Sequence, residues 1–253
     1  MKQVTMISLY GKKDKDLQLL IEDCWERINI SKFRRIFEPY NIKQIHGTII
    51  GMAKHIGSSE LFNEEIWRDS NTRKKIIMDF TELINIVRDH FPMTVRFGGF
   101  DENYRDFQSQ NKTPFERSFQ VQWDSSKLTL IGWPRKNDKF TEELSKLRNE
   151  FKEKCNIKYR YEKDGKDFHM VLGEIKRPHL LTDSELKRLK METTQLEESI
   201  REYLRKHPID VKINCEQVFL AQYVNETLPL DSTNVYCIQD RVINNPFIQN
   251  LYS

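Results

Sequence analysis

The chain has 253 residues, 38% hydrophobic and 31% charged, with 15 Phe, 9 Tyr and 4 Trp. It is too aromatic for a disordered chain, and no apolar run approaches the ~20 residues of a bilayer span. The net charge of +3, from 41 basic and 38 acidic residues, leaves any attraction to nucleic acid to a local patch rather than a global field. The first residues, MKQVTMISLYGKK, are too short and polar for a secretory signal and read as a first strand, which places the protein in the cytoplasm. Cys24, Cys155, Cys215 and Cys237 lack CxxC spacing and read as isolated reduced thiols, with no metal site among them.

In chain order, the pattern predicts a strand over Val4–Leu9 and an amphipathic helix over Asp16–Ile28, with Leu17, Leu20, Ile21 and Trp25 on its apolar face. A second strand is predicted over Ile42–Met52. Next comes a helix over Thr72–Asp89, marked by Ile76, Phe80, Leu83, Ile84 and Val87 and stopped by Pro92. Met93–Phe97, Phe119–Trp123 and Lys127–Trp133 read as antiparallel strands, the last two joined by a turn at Asp124-Ser125-Ser126. Asp101–Arg117, polar and without period, reads as a surface loop inserted into the fold. A helix from Thr141 to about Lys154, a turn at 163–166 and a strand over Phe168–Ile175 follow. Asp183 then caps a long helix ending near His207, and strands over Val211–Val224 and Asn234–Ile238 close the chain. Helices and strands without strict βαβ alternation indicate an α+β fold, and no linker divides residues 1–253.

Two stretches share one form: Gln44-Ile45-His46-Gly47-Thr48-Ile49 and Asp167-Phe168-His169-Met170-Val171-Leu172. Strand alternation puts His46 and Thr48 on one face, and likewise His169 and Val171. Paired imidazoles suit phosphodiester cleavage. A neutral ring removes a proton from the attacking oxygen, and an imidazolium opposite protonates the leaving oxygen. A Thr hydroxyl two residues on would stabilise charge on a phosphate oxygen.

These residues resemble the two-histidine (2H) phosphoesterase superfamily, with its two His-x-Thr/Ser-apolar motifs. The resemblance rests on His46-Gly47-Thr48-Ile49, on His169-Met170-Val171-Leu172 and on the last long strand around Gln217–Glu226. It implies a bilobal, pseudo-twofold fold of antiparallel sheets lining a central cleft, with helices outside and His46 facing His169. It also implies metal-independent, cofactor-free cleavage of a small nucleotide, a cyclic oligonucleotide or an RNA end. Val171 departs from the pattern, because the family has Thr or Ser there. The 123-residue interval between the histidines is also long, which the 101–117 loop and the helix after Thr141 account for. The alternative is a catalytically silent nucleotide-binding module of the same fold.

Tyr10, Trp133, Arg135 and Val171 are further candidates for substrate binding. Trp133-Pro134-Arg135-Lys136 offers an aromatic face for a base and cations for a phosphate, but also reads as ordinary strand-edge packing with solvated charges. Tyr159-Arg160-Tyr161 has the residues to line a nucleotide channel, but alternating aromatic and basic residues also read as an ordinary exposed strand. His55, His90, His179 and His207 lie near element ends and carry no assigned chemistry. Oligomeric state is not legible in the sequence.

Overall fold

The computed structural model describes residues 2–58, 60–69, 73, 75–160, 165–176, 181–240 and 243–253. Its framework is one antiparallel sheet system. The strands, in chain order, are β1 (Gln3–Ser8), β2 (Phe37–Pro39), β3 (Gly47–Gly51), β4 (Met93–Phe97), β5 (Phe119–Gln122), β6 (Lys127–Lys136), β7 (Lys139–Phe140), β8 (Phe168–Ile175), β9 (Ile209–Ile213), β10 (Val218–Tyr223) and β11 (Asn234–Cys237). The main path runs β11-β10-β1-β3-β8-β6-β4-β9, with β2 on β8 and β5 and β7 on β6. The helices are α1 (Lys15–Ile30), α2 (Glu64–Asp69), α3 (Leu83–His90), α4 (Pro114–Arg117), α5 (Glu143–Cys155), α6 (Asp183–Lys206) and α7 (Asn245–Asn250). This is an α+β fold, as the sequence predicts.

The long helices α1, α3, α5 and α6 bury their apolar stripes in one core. Leu17, Ile21, Leu83, Val87, Leu147, Phe151, Ile200 and Leu204 meet the strand residues Val4, Met6, Ile50, Leu128, Leu130, Met170 and Leu172 there. Burying so many apolar side chains on one side of the sheet is the main stabilising term. Among the described residues, the opposite face carries two small apolar clusters. Ile7, Ala221 and Leu228 form one, and Phe100, Ile131 and Trp133 the other. The helices therefore cover one face, and the other is left for the histidines.

Several expectations change, among them the single strand expected over Val211–Val224, which is two strands, β9 and β10, parted by a turn at Cys215–Gln217. The helix predicted from Thr72 begins only at Leu83, with residues 70–72 and 74 outside the described ones. Asp79 accepts hydrogen bonds from the Thr81 backbone N–H and hydroxyl, a local turn that competes with helix, and Met78 N–H donates to Leu61 O. The strand predicted from Ile42 begins at Gly47, because Gln44 and Ile45 N–H donate back to Asn41 O and hold 41–45 in a turn. The 101–117 segment is not merely a surface loop. Thr113 and Glu116 form a capping box for α4, with Pro114 in its first turn, and Ser109, Thr113 and Arg117 are buried. Part of the 163–166 turn, at Lys163 and Asp164, lies outside the described residues, as do Tyr161 and His179. In α6, Thr182 rather than Asp183 is the cap, with Glu185 completing its capping box. The short C-terminal helix α7, capped by Asn244, was not predicted.

Candidate active site

The histidine strands β3 and β8 are hydrogen-bonded neighbours at one residue pair. They pair antiparallel at Gly47↔Met170. Continued by one residue each way, that register sets Thr48 across from His169 and His46 across from Val171. Directly opposed residues share a face. Burial agrees: His46, Thr48, His169 and Val171 are half-buried, whereas Gly47, Ile49, Phe168 and Met170 between them are buried. The two imidazoles thus occupy diagonal corners of a four-residue patch, with Cβ atoms about 7–8 Å apart by strand geometry. That separation leaves room for a phosphate between the rings.

Gly47 is required by this closeness. A Cβ there would lie 2.0 Å from the far end of the Phe168 ring, which takes up the space beside the glycine. From the helix side, Arg148 on α5 ties the two strands together. Its guanidinium donates to Ile49 O (2.7 Å) and Thr48 O (3.0 Å) on β3, and to Gly165 O (2.7 Å) and Asp167 O (3.0 Å) ahead of β8. The Tyr159 ring lies 3.6 Å from the same guanidinium, so Tyr159 is packing under a cation rather than lining a channel.

The two imidazoles have different neighbours. His46 Nδ1 bonds Gln44 O at 2.8 Å. A carbonyl only accepts, so Nδ1 carries the proton and the neutral ring leaves Nε2 bare. The Tyr10 ring stands 6.1 Å from the His46 ring, its hydroxyl donating to Leu228 O at 3.0 Å. Burial pushes His46 down to about 4; the Gln44 carbonyl opposes the shift, and Lys13 and Lys127 reinforce it. Lys13 is itself buried, its Nζ donating to Gly11 O at 2.8 Å, and burial lowers it to about 8.

His169 is also pushed down to about 4 by burial, but here Asp167 opposes the shift while Arg117 and Arg148 add to it. Its Nε2 stands 3.6 Å from Asp167 Oδ2. The Asp167 carboxylate, 1% exposed, pairs with Arg117 and accepts from the Ser109 hydroxyl and from Trp133 Nε1 at 2.9 Å. Arg117 also bonds Gln110. Both cation and hydroxyl come from the segment expected to be a plain surface loop.

Two expectations for substrate binding are corrected. Trp133 is completely buried, edge-on to Phe100 at 5.0 Å, with its N–H spent on Asp167, so it has no face for a base. Arg135 pairs with Asp138 at 2.8 Å within the β6–β7 hairpin. It lies four residues beyond Ile131, the partner of His169, or about 13 Å along the strand. Tyr10, Thr48 and Val171 lie with the histidines. Thr129, not singled out in the sequence, pairs with Val171 from β6, and its buried hydroxyl has no hydrogen-bond partner among the described residues. The period-2 pattern of Lys127, Thr129 and Ile131 was the signal that could have placed it on this face.

The remaining described histidines are bound into structure. His55 Nδ1 meets Glu64 at 2.6 Å and its ring stacks on Trp67, and His90 bridges Glu143 (2.6 Å) and Glu150 (2.9 Å) on α5. His207 Nδ1 bonds Tyr203 O at the end of α6. No helix among the described residues is long and apolar enough to cross a membrane.

Compared with known proteins, the chain matches no family model and no curated protein. It is similar to solved structures of low identity. A conserved protein of unknown function, ATU0111 from Agrobacterium tumefaciens str. C58, is 10% identical, with 88% of this chain and 80% of that one covered at a TM-score of 0.44. Usb1 from Kluyveromyces marxianus, solved with uridine monophosphate, is 13% identical, with 92% and 97% covered at a TM-score of 0.42. A second structure of the same Usb1 gives 12% identity, the same coverage and a TM-score of 0.41.

Proposed function

We propose that this protein is a two-histidine phosphoesterase that cleaves a phosphodiester in a small nucleotide, a cyclic oligonucleotide or an RNA end without a metal ion. The observation carrying the reading is the patch itself. His46 and His169, 123 residues apart, share the helix-free face of two adjacent strands, with Thr48 between them. One imidazole takes the proton of the attacking water or 2′-hydroxyl and the other returns a proton to the leaving oxygen. The Thr48 hydroxyl donates to a non-bridging oxygen, and Thr129 offers a second hydroxyl beside Val171, where the motif has lost its own.

The test is incubation with cyclic mono-, di- and trinucleotides and with RNA carrying 2′,3′-cyclic ends, chelator present. The wild type should form product, and His46→Ala and His169→Ala should each lower the rate by roughly 10²–10⁴-fold with unchanged melting temperature. Near wild-type turnover of these cyclic nucleotides and RNA ends by either variant overturns the mechanism. A silent nucleotide-binding module is the second reading, favoured by Val171 and by burial that keeps both rings neutral near pH 7. Ligand-dependent stabilisation without product would support it.

A further inference from the structure

We propose that Asp167 is the positioning residue that makes the two histidines unequal: its buried carboxylate marks His169 as the proton donor and leaves His46 as the base. This rests on the catalytic reading above. Three features of the geometry converge on it. Asp167 lies two residues before His169, just ahead of β8, and its Oδ2 lies 3.6 Å from His169 Nε2. That is too long for a hydrogen bond but short enough for the carboxylate to stabilise an imidazolium.

The carboxylate is also fixed. Arg117, Ser109 and Trp133 hold it from three directions at 1% exposure, so it cannot swing away to solvent. Finally, His46 has no such partner. Its Nδ1 is tied to the Gln44 carbonyl, and its charged neighbours are Lys13 and Lys127, which disfavour a proton. Arg117 and Arg148 work against a cation at His169 in the empty site. A bound phosphate adds negative charge for both rings, and the ring beside Asp167 takes up the proton.

In a chain bearing a 2′-hydroxyl, His46 Nε2 removes the hydroxyl proton as the O2′–P bond forms. The P–O5′ bond breaks, and His169 transfers its proton to O5′, giving a 2′,3′-cyclic phosphate and a free 5′-hydroxyl. The protons balance, one accepted and one donated.

Leaving-group dependence separates the roles. Uridylyl-(3′→5′)-uridine expels an alkoxide that needs a proton, and uridine 3′-(4-nitrophenyl phosphate) expels a nitrophenolate that does not. His46→Ala should lose both reactions. His169→Ala should lose about 10²-fold or more, and Asp167→Asn about 10-fold or more, on the dinucleotide alone, both keeping near wild-type rates on the nitrophenyl ester. Equal loss on both esters in Asp167→Asn assigns the residue to packing and overturns the proposal, as does no loss on either. A wild type that cleaves neither ester, or a His46→Ala variant that still cleaves both, overturns this proposal; the catalytic reading falls with it only if the wild type also forms no product from the cyclic nucleotides and 2′,3′-cyclic ends. If Asp167→Asn fails to fold with Arg117 unpaired, the same comparison is made in Arg117→Met/Asp167→Asn, which removes the stranded cation.

Discussion

The surroundings of His46 and of His169 are similar in sequence and differ in one charge: both rings have cations nearby, and His169 alone has a carboxylate beside it. Each imidazole stands at or near the start of a strand, faces away from the helices and has an apolar residue on either side along the chain. Around His46 the structure gathers Lys13, Lys127 and a backbone carbonyl. Around His169 it gathers a buried carboxylate with its own arginine. The lesson is that strand alternation decides which way a side chain faces, whereas distant segments decide its electrostatic role.

The strongest way to break this comparison is to cut the tie between the two strands. Arg148→Leu leaves four carbonyls at the β3–β8 junction without their donor. It should destabilise the protein by about 3–5 kcal/mol, read as a lowered urea midpoint. Next is Thr48→Val, which makes the first motif match the second. It should cut turnover by on the order of 10²-fold with little effect on stability, the cost of one transition-state donor. A rate unchanged by Thr48→Val would mean that another group, Thr129 foremost, carries the phosphate oxygen.

The smallest effect is in pH dependence. Both rings titrate near 4 in the folded chain, against an ordinary value near 6.5. The unfolded chain therefore binds protons between these values while the folded one does not, so stability falls as pH drops from 6.5 toward 4. Each ring should contribute about 1–2 kcal/mol to that loss by pH 5. Urea midpoints at pH 7 and pH 5 check it, and His46→Asn/His169→Asn should remove that share of the slope.

Much of the framework was legible in the sequence. The strands at Gln3–Ser8, Met93–Phe97, Lys127–Lys136 and Phe168–Ile175 carry alternation strong enough to place them within a residue or two, except that β6 runs three residues past its expected end at Trp133. The shared face of His46 and Thr48, and of His169 and Val171, follows from that same alternation. The rest was hidden for physical reasons. Arg117 and Asp167 are 50 residues apart, and no periodic signal links a cation in a polar segment to a carboxylate ahead of a strand. Arg148 sits among the charges of a polar helix, where its burial beneath two strands leaves no trace in composition. Trp133 looked like a base-stacking platform because an aromatic followed by cations has the same spelling whether the ring is open or sealed.

The junction between β3 and β8 is one residue pair wide. A full ladder would lock the two rings at a single spacing, but here the spacing is governed from behind, by a guanidinium and by a phenyl ring seated on a glycine. Substitutions in α5, remote from every group a substrate would touch, should therefore retune the reach of the imidazoles.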